Sequence, residues 1–366
     1  MTDDVRLPVP EARPEVSATA SAHHGSLDYV ELEELGLAPE NVLDFSVNSN
    51  PFGPSPSVAA ALARVPLDRY PDREALALRR ALAEHLGVSP GQIVAGNGTA
   101  ELIHLLALAF VRADDHVMII GPTFGEYARA CQLMGAQVKT WNANVADAFA
   151  VDREAVAYLL AVTQPRLLFV CRPNNPTGAL LPLDTIAVWA QASPSTVVVV
   201  DEAYLAFAGA RSCLGLHLPN VVALRSMTKD YALAGLRLGY AAGPERIIAA
   251  LSAVRPAWNV NALAQAAGLA ALGDQAHLQE SLGLLRQATT DLVAGLRGLG
   301  LPPHPSHVHF FIINVGSAAS FRRKLLMRGM QVRDCTSFGL PEFVRIAARR
   351  PHDNARLLNA ICEVTE

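Results

Sequence analysis

Lysine is scarce in this sequence. Of 30 lysine and arginine residues only three are lysines: Lys139, Lys229 and Lys324. Chemistry that needs a primary amine on a side chain is therefore restricted to three positions. Lys139 lies in a predicted strand and Lys324 in the charged run FRRKLL, and both surroundings are typical of surface charge. Lys229 is therefore the main candidate for a reactive lysine.

Paired cysteines and long apolar runs are absent as well. The five cysteines are far apart and form no C-x-x-C pair, which argues against a disulfide framework or a zinc site and indicates reduced thiols. A formal net charge of −4 provides no basic field for nucleic acid or an anionic membrane, and no apolar run is long enough to span a bilayer. We therefore expect a cytoplasmic protein without nucleic-acid or membrane partners. The first 22 residues have no signal-peptide core, and we expect them to form a flexible tail.

Short β-branched runs alternate with helical patterns through the middle of the chain. Runs such as VVVV, with no polar alternation, are typical of strands buried on both faces, and intervening helices indicate a mostly parallel, doubly wound α/β sheet. We predict a large domain at 50–261 and a smaller α+β domain formed by 23–49 and 262–366. A helix over 74–87 is expected to stop at Gly87. The predicted strands of the large sheet are 117–121, 137–141, 167–171, 196–204, 221–226 and 238–242.

Two glycine- and proline-containing turns follow predicted secondary structure in the large domain. In GNGTAE, Gly98 precedes a helix whose first N–H groups, at Thr99 and Ala100, are suited to bind a phosphate. In CRPNNPTG, Asn175 follows a strand and is available to bind a ligand. Taken alone, the first turn is equally compatible with an ordinary cap, and an ordinary loop is the favoured interpretation of the second.

Two further strand ends carry charged groups. Asp201 follows the four-valine strand of VVVVDEAY, so a partly desolvated carboxylate would need a cationic partner such as a protonated pyridine nitrogen. Lys229 in LRSMTK follows a strand together with Ser226 and Thr228, and Arg237 lies eight residues later. Two hydroxyls and a guanidinium suit a dianionic phosphate, and a lysine amine forms imines with carbonyls.

The ordered set GNGTAE, GPTFGEY, PNNPTG, DEAY, SMTK and GLRLGY resembles the fold-type-I pyridoxal-phosphate enzymes of the aspartate aminotransferase superfamily. The resemblance covers nearly the whole chain after His23. It implies that Lys229 binds pyridoxal 5'-phosphate as a Schiff base and that Asp201 keeps the pyridinium protonated. It also implies a homodimer with shared active sites, because Tyr70 matches a tyrosine that reaches the phosphate of the neighbouring subunit.

The resemblance assigns the remaining site residues as well. Phe124 would stack on the cofactor ring, Tyr204 and Asn175 would hydrogen-bond its oxygen, and Arg345 would bind the substrate carboxylate as a bidentate pair. The phosphate of the cofactor would be bound by Gly98, Thr99, Ala100, Ser226, Thr228 and Arg237.

Within this superfamily the chain resembles most the threonine-phosphate decarboxylases of cobalamin biosynthesis. The opening HHGSLDY…DFSVNSNP and the segment VRDCTSFG carry this resemblance, by which His24, Gly25 and Arg333 would bind the phosphate of the substrate. We therefore expect a carboxy-lyase that converts O-phospho-L-threonine to 1-aminopropan-2-ol phosphate. The alternative is a histidinol-phosphate aminotransferase or a related class I/II aminotransferase, since NVNALAQ also occurs in aminotransferases.

The sequence argues against two other classes of protein. The fold also serves as an effector domain in DNA-binding regulators, but the tail before His23 is too short and too acidic for a DNA-binding domain. A metal site at His304, His307 and His309 would lack a carboxylate or cysteine ligand, so no metal is expected.

Overall fold

The computed structural model describes residues 10–22 and 24–365. Its α-helices are α1 (Pro14–Ala18), α2 (Tyr29–Glu34), α3 (Pro56–Leu62), α4 (Leu76–Leu86), α5 (Gly98–Phe110), α6 (Glu126–Gln132), α7 (Arg153–Thr163), α8 (Leu183–Ala192), α9 (Leu205–Ala208), α10 (Glu245–Val254), α11 (Ala262–Gly273), α12 (Gln275–Gly298), α13 (Ala318–Leu326) and α14 (Pro351–Thr365). Its strands are β1 (Leu43–Asp44), β2 (Ile93–Gly96), β3 (His116–Gly121), β4 (Gln137–Asn142), β5 (Leu167–Cys171), β6 (Val197–Asp201), β7 (Val221–Ser226), β8 (Gly239–Ala242), β9 (Phe310–Asn314), β10 (Met330–Gln331), β11 (Arg333–Asp334) and β12 (Phe343–Ala347).

Seven strands form one large sheet in the order β2-β8-β7-β6-β5-β3-β4. All neighbouring pairs are parallel except those of β8, which runs antiparallel to β2 and β7. Every residue of β5 and β6 is buried, as the unbroken apolar runs predict for strands covered on both faces. The predicted doubly wound α/β fold is thereby confirmed.

The carboxyl ends of the parallel strands meet along one edge of this sheet. Cys171 and Asp201 are register partners at the ends of β5 and β6, and β7 ends beside them at Ser226. Polar residues that directly follow these strands in the sequence are therefore close together in space.

A smaller antiparallel sheet has the order β11-β12-β9, and β1 pairs in parallel with β10 nearby. Arg333 of β11 and Arg345 of β12 are direct register partners. The division of the chain at residues 50 and 261 stays a prediction. In the predicted N-terminal tail, residues 1–9 lie outside the described residues, and α1 has no buried residue. His23, at the start of the predicted small domain, also lies outside the described residues.

The two ends of helix α4 lie within two residues of the predicted ones. α4 ends at Gly87, whose φ of 67° is in the left-handed region where glycine stops a helix without strain. At the other end, α4 begins two residues later than predicted, at Leu76. None of the described helices is long and apolar enough to cross a membrane.

Candidate active site

One cavity lies at the carboxyl edge of the large sheet, facing the small sheet. The structure brings most of the predicted site residues to its wall, although their individual roles stay predictions. These residues are His24, Gly25, Thr99, Ala100, Phe124, Asn175, Asp201, Tyr204, Ser226, Thr228, Lys229, Arg237, Arg333 and Arg345.

Lys229 lies just beyond the end of β7, inside this cavity. Its carbonyl oxygen accepts a hydrogen bond from the Asn50 N–H at 2.9 Å, which fixes the backbone. Burial, followed by the nearby charges of Arg345 and Arg237, lowers the pKa of the Lys229 amine to about 8. The other two lysines are exposed. Because only the neutral amine is nucleophilic, this lowered pKa favours Lys229 as the site that reacts with a carbonyl group.

Asp201 is buried at the end of β6. Burial raises its pKa, and hydrogen bonds from the Tyr127 hydroxyl to Oδ2 at 2.7 Å and from the Ala203 N–H to Oδ1 at 3.0 Å oppose that rise. These two donors hold the carboxylate in one orientation. Tyr127 was not predicted as a site residue, although it lies three residues after Phe124 in the GPTFGEY motif, in the first turn of α6.

Three groups that bind anions converge at the N-terminus of α5. The first N–H groups of a helix lack intrahelical acceptors, and α5 offers those of Thr99 and Ala100. Gly98 has a φ of 78°, and a Cβ there would lie 2.7 Å from a terminal nitrogen of Arg237. The hydroxyls of Ser226 and Thr228 are 2.7 Å apart and buried. This arrangement fits a phosphate group.

Two arginines form the opposite wall of the cavity. The Arg345 guanidinium is buried and donates hydrogen bonds to Asn175 Oδ1 and to the Ser46 carbonyl. Arg333 lies over the Phe338 ring, 5.3 Å from its centroid. Burial lowers the pKa of Arg333, and the neighbouring charge of Arg345 adds to this effect.

The closing segment, His24 and Gly25, forms one part of the cavity rim. His24 Nε2 lies 3.0 Å from Oε1 of Glu126, a buried carboxylate that also pairs with His104 and Arg129. Glu126 was not predicted, because its link to His24 joins positions 102 residues apart. The segment is therefore anchored to α6 at the cavity rim.

Tyr70 lies outside the cavity of its own chain. Its side chain is 81% exposed, and its ring lies 4.8 Å from that of Trp258. No cluster of three metal-ligating side chains occurs within residues 10–22 and 24–365, so the alternative metal site at His304, His307 and His309 gains no support. His304 and His309 contact aromatic rings instead.

Such a site, at the carboxyl edge of a mostly parallel sheet, defines an enzyme of the aspartate-aminotransferase-like fold type I. A family model described as aminotransferase class I and II matches residues 40–361. The chain belongs to this family.

Individual proteins that are similar to this chain include histidinol-phosphate aminotransferases and a threonine-phosphate decarboxylase. Histidinol-phosphate aminotransferase of Symbiobacterium thermophilum is 38% identical over 335 residues, covering 90% of this chain and 91% of the relative. The crystal structure of histidinol-phosphate aminotransferase from Sinorhizobium meliloti in complex with pyridoxal-5'-phosphate has a TM-score of 0.86 at 26% identity and covers 98% of both chains. L-threonine-O-3-phosphate decarboxylase from Porphyromonas gingivalis has a TM-score of 0.77 at 27% identity, with 88% of this chain and 98% of that chain covered.

The expected phosphothreonine decarboxylation is therefore wrong, and lyase activity and a place in cobalamin biosynthesis have no support. Curated relatives that are 34–38% identical over 90–96% of the chain are histidinol-phosphate aminotransferases. The physical reason is that the quoted motifs describe a cofactor pocket and an anion clamp. Neither feature specifies which bond at the substrate α-carbon is aligned with the cofactor ring.

Pyridoxal 5'-phosphate is the cofactor, and the residues present fit it. Lys229 would supply the amine for attachment, Asp201 a carboxylate for the ring nitrogen, and the α5 N-terminus with Arg237 a phosphate site. When bound, the cofactor supplies a conjugated ring that accepts the electrons released at the substrate α-carbon.

The lowered pKa of Lys229 predicts the pH dependence of cofactor uptake. Only the neutral amine attacks the cofactor aldehyde, so the attachment rate in apoenzyme should rise with pH and level off above about pH 8. Stopped-flow absorbance between pH 6 and 10.5 measures this midpoint. A variant with alanine at both Lys139 and Lys324 should give the same midpoint, whereas a rate that keeps rising to pH 10 would contradict the assigned environment.

Gly25 makes a close approach that predicts a second effect. A Cβ at this position would clash with the Ser46 carbonyl oxygen and lie 3.1 Å from a terminal nitrogen of Arg345. Gly25→Ala should displace the closing segment and raise KM for an anionic substrate about tenfold, equivalent to ~1.4 kcal/mol. Steady-state kinetics tests this expectation, with Gly298→Ala as the control at a helical position where a Cβ meets no atom within 4 Å. An unchanged KM in Gly25→Ala would show that the segment does not shape the substrate site.

Proposed function

We propose that the protein transfers the amino group of L-histidinol phosphate to a 2-oxo acid such as 2-oxoglutarate. The observation that carries this proposal is the register pairing of Arg333 with Arg345 in the wall of the cavity that contains Lys229. Like charges directly opposite each other on neighbouring strands are unfavourable unless an anion lies between them. A phosphate dianion neutralises both guanidiniums.

Histidinol phosphate carries its amino group and its phosphate ester on adjacent carbons. A single small molecule thus presents an amine towards Lys229 and a dianion towards the arginine pair. The aromatic ring of Phe338 in the same wall supports an aromatic side chain such as imidazole. The 2-oxo acid would use the same arginines, because a carboxylate also accepts paired hydrogen bonds from a guanidinium.

Side chains of this protein can carry out the proton transfer that transamination requires. With substrate bound in the cavity, the Lys229 amine would act as the base that removes the proton from the substrate α-carbon and would carry that proton. Its pKa of about 8 places it near the operating pH, where a base is most effective. Asp201 balances the positive charge of the ring nitrogen, and Arg345 orients the substrate through its anion.

The direct test is transamination by the purified holoenzyme. We expect glutamate to form from 2-oxoglutarate with L-histidinol phosphate, and kcat/KM to fall by about 100-fold with L-histidinol, which lacks the phosphate. Equal rates with both amines would contradict the role of the arginine pair. Release of CO₂ from O-phospho-L-threonine without glutamate formation would contradict transamination itself.

We further propose that the active enzyme is a homodimer in which Tyr70 enters the neighbouring site. The support is that Tyr70 is 81% exposed in a single chain and lies outside its own cavity. Mixing inactive Tyr70→Ala and Lys229→Ala subunits would assemble heterodimers in which one site has both residues intact. Recovery of about one quarter of the wild-type activity after mixing is expected from random pairing. Absence of recovery, with heterodimers confirmed by mass spectrometry, would place Tyr70 outside the neighbouring site.

A further inference from the structure

Asn48 carries a buried polar side chain whose hydrogen-bonding capacity is not filled by the described residues. It is 2% exposed and contributes to the cavity wall. Within residues 10–22 and 24–365, neither its Nδ2 nor its Oδ1 has a hydrogen-bond partner of normal geometry. A buried amide without partners costs on the order of 1–3 kcal/mol. A cavity-lining amide whose hydrogen-bonding atoms lack partners of normal geometry points to a ligand that would supply them.

The neighbouring Asn50 shows what a structural asparagine in this segment looks like. Its Nδ2 donates to the Asp230 carbonyl at 3.1 Å and to Ser281 Oγ at 2.8 Å, and its Oδ1 accepts from the Phe52 N–H at 3.1 Å. All of its polar atoms are used. The same segment therefore contains one amide that holds the fold and one that is left for the cavity.

The surroundings of Asn48 indicate which kind of ligand group it would bind. Arg345 Nε is also buried without a partner among the described residues, and Arg345 and Asn48 line the same cavity. The backbone of this segment reaches Arg345 directly, because the Ser46 carbonyl accepts from its guanidinium. Asn48 also interacts with the Tyr204 hydroxyl and partly opposes the burial that raises the pKa of Tyr204. An acceptor-rich group, such as a phosphate or a carboxylate, matches this set of donors.

We infer that Asn48 is a substrate-binding residue whose side-chain amide donates to the anionic group bound by Arg345. The inference rests on the proposed aminotransferase function and deepens it. It makes Asn48 a determinant of the preference for anionic over uncharged substrates. Asn48→Asp is nearly isosteric but replaces the donor with a like charge, whereas Asn48→Ala only removes the donor.

The test titrates holoenzyme with 2-oxoglutarate, which has no amino group and so binds the pyridoxal form without reacting. We expect Kd to rise about tenfold in Asn48→Ala and about 100-fold in Asn48→Asp. The kcat/KM ratio of L-histidinol phosphate to L-histidinol should fall by similar factors. If wild-type enzyme does not turn over histidinol phosphate, the proposed substrate fails, while the 2-oxoglutarate titration still decides the role of Asn48.

Thermal unfolding distinguishes a role of Asn48 in substrate binding from a role in the stability of the fold. Asn48→Ala should melt at or above the wild-type temperature, because it removes a buried amide that the fold does not satisfy, and Asn50→Ala should melt several degrees lower. An Asn48→Ala variant that keeps the wild-type Kd for 2-oxoglutarate overturns the inference. A shifted pH midpoint of the cofactor absorbance at unchanged Kd would overturn it too, since Asn48 would then act on Tyr204. Lack of 2-oxoglutarate binding by the wild-type holoenzyme would also count against it.

Discussion

Replacing Lys229 with alanine is expected to lower transamination about 10⁴-fold, the upper range for loss of a positioned acid–base group. By the roles proposed for Lys229, the variant would lack both the attachment point of the cofactor and the amine that moves the α-carbon proton. Steady-state assays with saturating cofactor measure the loss. Folding should be unaffected, because removal of a buried amine with a depressed pKa relieves desolvation rather than adding it.

The two other lysines provide the control for this prediction. Lys139→Ala and Lys324→Ala remove exposed amines and should keep wild-type activity. Added methylamine should restore part of the lost rate in Lys229→Ala, because a small amine can occupy the space left by the side chain and act as the base. Activity within tenfold of wild type in Lys229→Ala would show that another group performs the proton transfer.

Replacing Arg345 with alanine is expected to lower kcat/KM for L-histidinol phosphate about 10²- to 10³-fold, since loss of one partner in a buried charge pair costs ~2–5 kcal/mol. The guanidinium also fixes Asn175 and the Ser46 carbonyl, so its loss loosens the closing segment. Arg345→Lys should be nearly as impaired, because an ammonium cannot reproduce the planar fork.

Arg333→Ala provides the matched comparison from the facing strand. Arg333 is less buried than its register partner, so its removal should cost less than that of Arg345. Steady-state kinetics with histidinol phosphate and with histidinol measures the order of the two effects. If both variants lose the same factor with either amine, the arginines do not recognise the phosphate.

Much of the large sheet was predictable from the sequence, because its strands carry a local signal. The valines of β6 are buried on both faces and need no polar alternation, and Gly87 stops α4 through its own backbone freedom. The two-residue strands β1, β10 and β11 carry no such signal. They exist only because distant segments pair, as Leu43 does with Met330.

The site shows the same division between local and long-range information. Lys229, Asp201 and the α5 N-terminus lie at strand ends, so their convergence follows from the fold class. The links from Tyr127 to Asp201 and from His24 to Glu126 join positions 74 and 102 residues apart and have no local pattern. The expectation of decarboxylation was wrong for a related reason. Bond selection depends on substrate orientation in three dimensions, and no motif encodes that orientation.

The most direct measurement concerns the covalent link between Lys229 and the cofactor. Borohydride treatment of the holoenzyme followed by peptide mass spectrometry locates the attached pyridoxal phosphate among only three lysines. We predict one modification per chain, on the peptide that contains Lys229. Modification at Lys139 or Lys324 with an unmodified Lys229 peptide would contradict the assigned active site.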